Sequence, residues 1–328
     1  MMETRPQDIS QGDVSTVSAA ESVRDIVGKR ELRALMARRD GPALLFVAVH
    51  LSIMAGTGVL LWLSLGSLWV IGATFLHGIV VVHLFAPFHE CSHSTTFKTR
   101  WMNQALGGFA GLALGLPPLI FKYQHADHHT YTQNIRRDPQ MISAGERLGG
   151  YLFYTTTIPY FTEIVRALIR HATRRFNEAE LRSMPESAHR GVQLEAWAFW
   201  TVYGGLLVGS IALDSWVVAL YWLIPRLVGE PVMRIIRMSE HVGCAQNPNM
   251  LENSRTIKTL APIRWLAWNM PYHTAHHAVP LVPFHAIPRL NGLLIDHVTD
   301  VRRGYVNAVA YQLLNAWRGR VGQAVPSA

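Results

Sequence analysis

Eight histidines fall into three tight groups. His89 and His93 stand in H-E-C-S-H, His125, His128 and His129 in H-A-D-H-H, and His273, His276 and His277 in H-T-A-H-H. On a helix of 3.6 residues per turn, positions i, i+3 and i+4 share a face, so each group aims its imidazoles at one point. Converging imidazoles generally serve a transition metal. One such group could arise from packing; three on one chain point to metal chemistry. His241, in S-E-H-V-G near the end of an apolar run, is a ninth candidate ligand. Zinc takes four ligands, so eight or nine neutral nitrogen donors are too many for one metal. Two metals with four or five ligands each fit the count. Ligand type alone leaves iron, copper, zinc and nickel open.

Around these donors, Glu90, Asp127, Asp138 and Glu240 are candidate acceptors for ligand N–H groups. Asp127 and Glu240 are favoured because each adjoins a ligand. His83 lies six residues before His89, off its helical face, and reads as a supporting or pore residue. His285, in V-P-F-H, reads as a supporting donor or part of a substrate cavity. Cys91 falls between the turns that pair His89 with His93 and reads as packing.

The elements that must position these groups are hydrophobic. Of 328 residues, 49% are apolar and only 16% charged, with the apolar ones bunched. Positions 42–65 and 68–88 are uncharged and joined at Gly66-Ser67, which makes a membrane hairpin leading into His89. Positions 195–213 and 215–236 make a second hairpin, with Pro225 and Arg226 marking where its return arm leaves lipid. The run 105–121 is short and glycine-rich and holds Pro117-Pro118. If it crossed once, His89 and His125 would face opposite sides, so it is read as re-entrant or interfacial. Positions 151–165 read as an interfacial helix.

The expected fold is therefore all-α: a multi-pass membrane protein with four transmembrane helices in two hairpins, interfacial helices and a cytosolic histidine-rich cap. Residues 1–40 form a polar, partly disordered N-terminal segment without signal-peptide character, with an amphipathic helix on the membrane over 18–39. Residues 41–320 form the membrane domain and 321–328 a tail. The proposed outer turns hold none of the 30 basic residues, which puts both termini and all histidine groups on the cytosolic side of the inner membrane. The net charge of +8 has no basic stripe interleaved with aromatics; anionic lipid explains it better than nucleic acid. Two cysteines make no disulfide framework and fit a reducing compartment.

Two other chemistries use part of this pattern. H-E-C-S-H matches the zinc-protease form H-E-x-x-H with Glu90 as base, but leaves the H-x-x-H-H groups idle. Metal transporters place polar ligands at the bilayer midplane, whereas these sit at helix ends.

One H-x-x-x-H box and two H-x-x-H-H boxes set between hydrophobic hairpins resemble the membrane fatty acid desaturase and hydroxylase superfamily, over nearly all of the chain after residue 40. The run N-M-P-Y-H-T-A-H-H-A-V-P-L-V-P-F-H resembles its bacterial desaturase branch. The resemblance implies two non-haem irons on the eight box histidines, with His241 matching an additional histidine of many members. It implies no catalytic side chains beyond the metal ligands, dioxygen as co-substrate and a C=C bond introduced into a fatty acyl lipid or related aliphatic substrate. A hydroxylase or ketolase, or a desaturase of a small amino-acid-derived metabolite such as dihydrorhizobitoxine, remains within the superfamily. No H-P-G-G of a fused cytochrome occurs. Electrons are expected from a separate ferredoxin-type protein.

Overall fold

In lipid a chain must satisfy its backbone groups internally, which long uncharged runs do by becoming helices. The computed structural model describes residues 23–319, and statements about the structure refer to these. The first apolar run forms the helix Asp40–Ser64. A turn at Gly66 (φ 80°) leads to Trp69–Val82 and, after a break at His83-Leu84, to Phe85–Ser92. Asp40–Ser64 and Trp69–Ser92 are each long and apolar enough to cross a membrane. Leu63, Leu68, Trp69 and Ile71 are exposed around the turn, as lipid-facing residues would be. Asp40 accepts hydrogen bonds from the Thr99 N–H (3.0 Å) and hydroxyl (2.8 Å). The start of the first crossing is thereby tied to the chain just after the first histidine box.

The helices Arg100–Leu114 and Pro118–Tyr131 meet the length and apolarity requirement only as a pair, and they are bent by 96°. Gly115, left-handed at φ 75°, ends the first, and Pro117-Pro118 starts the second. Such a bend strands helix-end groups that need partners. Tyr203 donates its hydroxyl to Leu112 O (2.6 Å), Trp222 its indole N–H to Ala113 O (2.9 Å), and Arg226 its guanidinium to Leu114 O (3.0 Å). At the other side of the bend the Glu195 carboxylate accepts the Leu119 N–H at 2.9 Å. A cation at one helix's C-terminus and an anion at the next one's N-terminus complement both dipoles.

Those capping side chains come from the helix His189–Ala212 and from the arm that follows Asp214: a π-helical turn Ala219–Leu223 continuing as Ile224–His241. This arm crosses Trp69–Val82 backbone to backbone. A Cβ on Gly78 would lie 2.2 Å from Pro225 O, and one on Gly229 2.4 Å from the Gly78 carbonyl carbon. Small residues at a crossing permit that approach. Pro225 and Arg226, expected to mark the exit from lipid, do not end the helix. Arg226 is buried and ion-paired to Glu230, which also meets Arg234 at 2.7 Å. Tyr160 and Tyr154 accept hydrogen bonds from Arg226 and Arg234, each at 3.3 Å. Internal pairing, rather than escape to water, accommodates these charges.

The expected interfacial helix over 151–165 is two helices, Leu148–Thr155 and Ile158–Ala172, broken at Thr157 (φ 66°). The cap carries the short helices Ala261–Leu266, His273–Ala278 and Ile287–Leu294. It also holds one feature outside the all-α expectation, a parallel ribbon pairing Thr256–Lys258 with Val301–Arg303. Three residues per strand are too few to show an alternating pattern. The last helix, Gly304–Arg318, is held to Ile224–His241 by the Gln312 amide, which donates to Met238 O at 2.7 Å.

The N-terminal expectation needs correction. Residues 1–22 lie outside the described residues, as does 320–328 with the tail. The remainder of the supposed membrane-surface helix is broken at Gly28 (φ 78°), and Lys29–Leu35 follows. Val23, Val27 and Leu35 are buried against Leu251, Ala275 and Leu290 of the cap. The Arg289 guanidinium lies 2.7 Å from Glu31. A few apolar residues thus clamp this segment onto the cap, and folded structure begins well before residue 41.

Candidate metal centre

Each histidine box sits at a helix end. His89 lies on Phe85–Ser92 with His93 as its C-cap; His125, His128 and His129 are in the last turns of Pro118–Tyr131. His241 ends Ile224–His241, and the third box forms the six-residue helix His273–Ala278. Residues next to the boxes take left-handed backbone without being glycine: Ser94 (φ 57°), Gln133 (φ 64°), and Trp268 and Asn269 (φ 51° and 63°). Such positions cost energy and persist only where surroundings enforce them. Trp268 is held by packing, 4.6 Å from the Phe284 ring and 5.6 Å from Phe46 between centroids, and the Asn269 amide donates to Phe284 O at 3.0 Å.

The nine imidazoles converge in two groups. His89, His93, His125, His129 and His276 form one; His128, His241, His273 and His277 form the other. Within each, one ligand atom per residue lies within 4.8 Å of all the rest. The boxes are shared between groups by a simple rule. In each H-x-x-H-H box the first and last histidines, i and i+4, go to one group and the middle one, i+3, to the other. The expectation that each H-x-x-H-H box aims at a single point is therefore corrected: adjacent helical residues point about 100° apart, so neighbouring histidines address different centres. The second box gives two donors to the group of five and one to the group of four; the third box does the reverse.

The donor set fits metal ions. Ring nitrogens of His125 and His93 lie 3.1 Å apart, those of His129 and His125 3.1 Å, and those of His273 and His241 2.9 Å. Two nitrogens at right angles, each bound at about 2.0–2.1 Å, would stand about 3 Å apart. Both nitrogens of His89 and His276, and Nε2 of His128 and His277, are buried without a hydrogen-bond partner. Buried polar atoms are rarely left so; a bound cation would satisfy several together.

Outward-facing nitrogens fix the tautomers. His128 Nδ1 is 2.9 Å from Asp138 and His125 Nδ1 2.9 Å from the Gln140 side-chain Oε1. His241 Nδ1 is 3.0 Å from Asn253 O. These oxygens only accept, so each Nδ1 carries the hydrogen and leaves Nε2 free. Thr132 gives its hydroxyl hydrogen to His128 O (2.5 Å) and so accepts from His277 Nδ1 at 3.1 Å. Burial, and then the closeness of the neighbouring imidazoles, which could not all carry a proton, holds His273, His276 and His277 well below the usual imidazole value of 6.5. Burial pushes His93 down to about 3. These rings are neutral at neutral pH, as metal ligation requires. Burial raises Asp138, but contact with His128 and backbone N–H groups of Gln140 and Gln133 outweigh it and keep it a carboxylate.

Of the other carboxylates singled out in the sequence, Glu90 is fully buried. It accepts the Phe284 N–H at 3.2 Å and lies 3.6 Å from His276 Nδ1. Glu240 is ion-paired to Arg237 and stands 3.7 Å from His273 Nε2. Asp127 was favoured for adjoining a ligand, yet among the described residues it makes no hydrogen bond or ion pair; being next in sequence turns it about 100° away. His83 binds Ile79 O at 2.7 Å. His285 is half-buried, belongs to neither group, and its ring centroid lies 5.6 Å from Phe284. Gln140, Thr132, Asn253 and Arg237 escaped the sequence reading. The polar run between Thr132 and Gln140, directly after the second box, was the available signal for two of them. Arg255, fully buried, also went unnoticed: it binds Asp300 (2.8 Å) and the Ser239 and Val242 carbonyls (2.9 and 3.0 Å), bracing the end of the His241 helix.

Three cavities touch the histidines. A narrow one reaches His89 and His83, a second lies at His128 and His241, and one of about 240 Å³ borders His129 and His277. A larger cavity, about 680 Å³, lies between Ile158–Ala172, His189–Ala212 and the π-helical turn, and none of the nine lines it.

Helices able to cross a membrane and a buried site with donors for two metals define a class of membrane proteins with a candidate metal centre. Within that class the chain belongs to the fatty acid desaturase family, whose model, Fatty acid desaturase, matches residues 67–306. It is similar to sphingolipid delta(4)-desaturase DES1 of Homo sapiens, 23% identical over 288 residues that cover 86% of this chain and 83% of the human protein. The same enzyme of Gallus gallus is 25% identical over 288 residues (86% and 83%), and that of Bos taurus 25% over 276 residues (83% and 79%). The chain is thus a membrane-bound oxidoreductase of the desaturase type.

Proposed function

We propose that this chain is an oxygen-dependent desaturase that holds two irons and introduces a C=C bond into an aliphatic lipid. The observation that carries this is the sorting of nine imidazoles into groups of five and four with ring nitrogens about 3 Å apart. When bound, the irons supply, with dioxygen and two external electrons, the oxidant that removes hydrogen from an unactivated carbon, a step beyond any side chain present. The protein's share is placement. Asp138, Gln140, Asn253 and Thr132 set the tautomers and ring orientations of four ligands. Burial excludes water from the donors. Phe85, Ala86, Met233 and Met270 line an apolar approach to His89.

The same reading places the chain in the inner membrane with four crossings in two hairpins, and the histidine cap and both termini in the cytosol. Exposed Trp200, Leu207, Ile211, Trp216 and Val217 on the second pair of arms support lipid contact there. The domain would begin near the cap-bound Lys29–Leu35 helix. A ferredoxin-type protein would deliver electrons at the cytosolic face. The third box and its flanks favour the bacterial branch, while the relatives compared are animal enzymes whose name specifies a sphingolipid. The substrate class we propose is correspondingly a long-chain lipid.

Expression in a host lipid background tests the reaction. A new double bond in the lipid pool, dependent on His128 and His276, is the expected result. A mass gain of one oxygen would instead identify a hydroxylase, and no lipid change with full iron loading would remove the assignment.

A further inference from the structure

The cavity of about 680 Å³ stands apart from the metal centre, among the arms of the second hairpin. Its walls are apolar, and its lining includes Leu207, Ile211, Trp216 and Leu223, all of them exposed. The two charged residues in the lining are Asp214, at the turn between the arms, and Arg226, which is ion-paired to Glu230. Arg226 also contacts Leu114 O (3.0 Å) and Tyr160 (3.3 Å), so the bend at Gly115 and the helix that starts after Thr157 both reach its level. From Val217 to Arg226 the arm is about ten helical residues, or about 15 Å, half of a ~30 Å hydrocarbon core. Two elements that enter the membrane only part-way thus leave a hollow about one leaflet deep.

We propose that this hollow holds an acyl chain of a bilayer phospholipid, drawn from the leaflet on the Asp214 side, as a structural ligand. None of the nine histidines lines it, so a chain held there is not the one that reacts. An unfilled apolar hollow forfeits the dispersion contacts of every side chain around it, and hydrocarbon is the solvent at its rim. The chain would lie against Tyr203, Trp222 and Arg226, whose hydrogen bonds cap the bend leading to the second histidine box. Covering those bonds keeps water from competing for them, and in the low dielectric they are stronger. The bound lipid therefore braces the element that carries His125, His128 and His129. The inference rests on the four-crossing reading, which puts the second hairpin in lipid.

The test uses the full-length protein, delipidated in detergent and titrated with dioleoylphosphatidylcholine or dihexanoylphosphatidylcholine, the same headgroup on long or short chains. The long-chain lipid should raise the melting temperature saturably, by about 5 °C, and stay bound in native mass spectrometry; the short-chain lipid should do neither. Ala219→Phe and Leu206→Trp each place a ring in the hollow and should abolish the gain while melting no lower than delipidated wild type. Leu63→Trp, on the exposed face of the first hairpin, should keep it. A gain shared by both lipids, a gain that survives in whichever ring variant folds, or a delipidated dimer that takes up no lipid overturns the proposal. The membrane placement fails separately. In vesicles of phosphatidylcholine brominated high in its chains, wild type should lose more fluorescence than Trp216→Phe; equal quenching would put the second hairpin outside lipid, whatever the titration gives.

Discussion

Asp138 shows how much one carboxylate can do for a metal ligand. It accepts from His128 Nδ1 and from the backbone N–H groups of Gln133 and Gln140, so ring, tautomer and loop are set together. Asp138→Ala should weaken metal binding about 10–100-fold, mostly in the group of four, with little loss of protein from the membrane. Chelator titration of metal content checks this, and unchanged affinity would contradict it. A second residue-scale prediction concerns stability. Burial raises Glu180, but hydrogen bonds from His171, the Asn177 backbone and Arg170 outweigh it, so its folded pKa lies below the usual 4.5. A depressed carboxylate stabilises the fold fully above its unfolded value, and that contribution fades as pH falls below about 4.5 towards the folded value. Glu180→Gln should therefore cost about 1–3 kcal/mol at pH 7. Melting curves should converge with wild type as pH drops below 4.5; a gap constant with pH would refute the account. The boxes were legible because metal ligation dictates both residue type and spacing. Asp138 was visible only as one of four acids, since its role depends on a loop that returns ten residues after His128.

At the scale of elements, two devices hold the boxes in register: the backbone crossing at Gly78 and Gly229, and the capped bend before the second box. Gly78→Ala or Gly229→Ala forces backbone apart and should destabilise by about 1–3 kcal/mol. Gly72→Ala, where an added Cβ meets nothing within 4 Å, should be neutral or slightly stabilising. Thermal melts of the three variants decide the matter; a harmless Gly78→Ala would mean the crossing is loose. Arg226→Leu should be at least as costly, about 3 kcal/mol, because it leaves Leu114 O without its donor and Glu230 with Arg234 as its one remaining cation. Limited proteolysis at the bend and melting temperature report it; wild-type behaviour would show that the bend needs no cap. Hydropathy made the first hairpin legible, and the requirement that His125 join His89 made the bend legible. The Arg226–Glu230 pair has the i,i+4 spacing of a local ion pair, but the contacts of Arg226 with Tyr160 and Leu114 were hidden, because those partners are distant in sequence.

For the whole molecule, the central matter is how three boxes and His241 are divided between two sites. The three separate boxes and their count pointed to two metals. Spacing separates the i+3 histidine of a box from its i and i+4 neighbours, but which donors of the other boxes each one joins depends on how helices from four parts of the chain face one another. The N-terminal clamp on the cap was equally hidden: Val23, Val27 and Leu35 are sparse apolar residues in a polar stretch, and only their partners show what they cover. The most direct test is iron stoichiometry of purified protein, wild type beside His128→Ala and His276→Ala, one variant for each group. The account predicts about two irons per chain in wild type, and reduced iron together with lost double-bond formation in both variants. A single metal per wild-type chain, or full iron and activity in either variant, would contradict it.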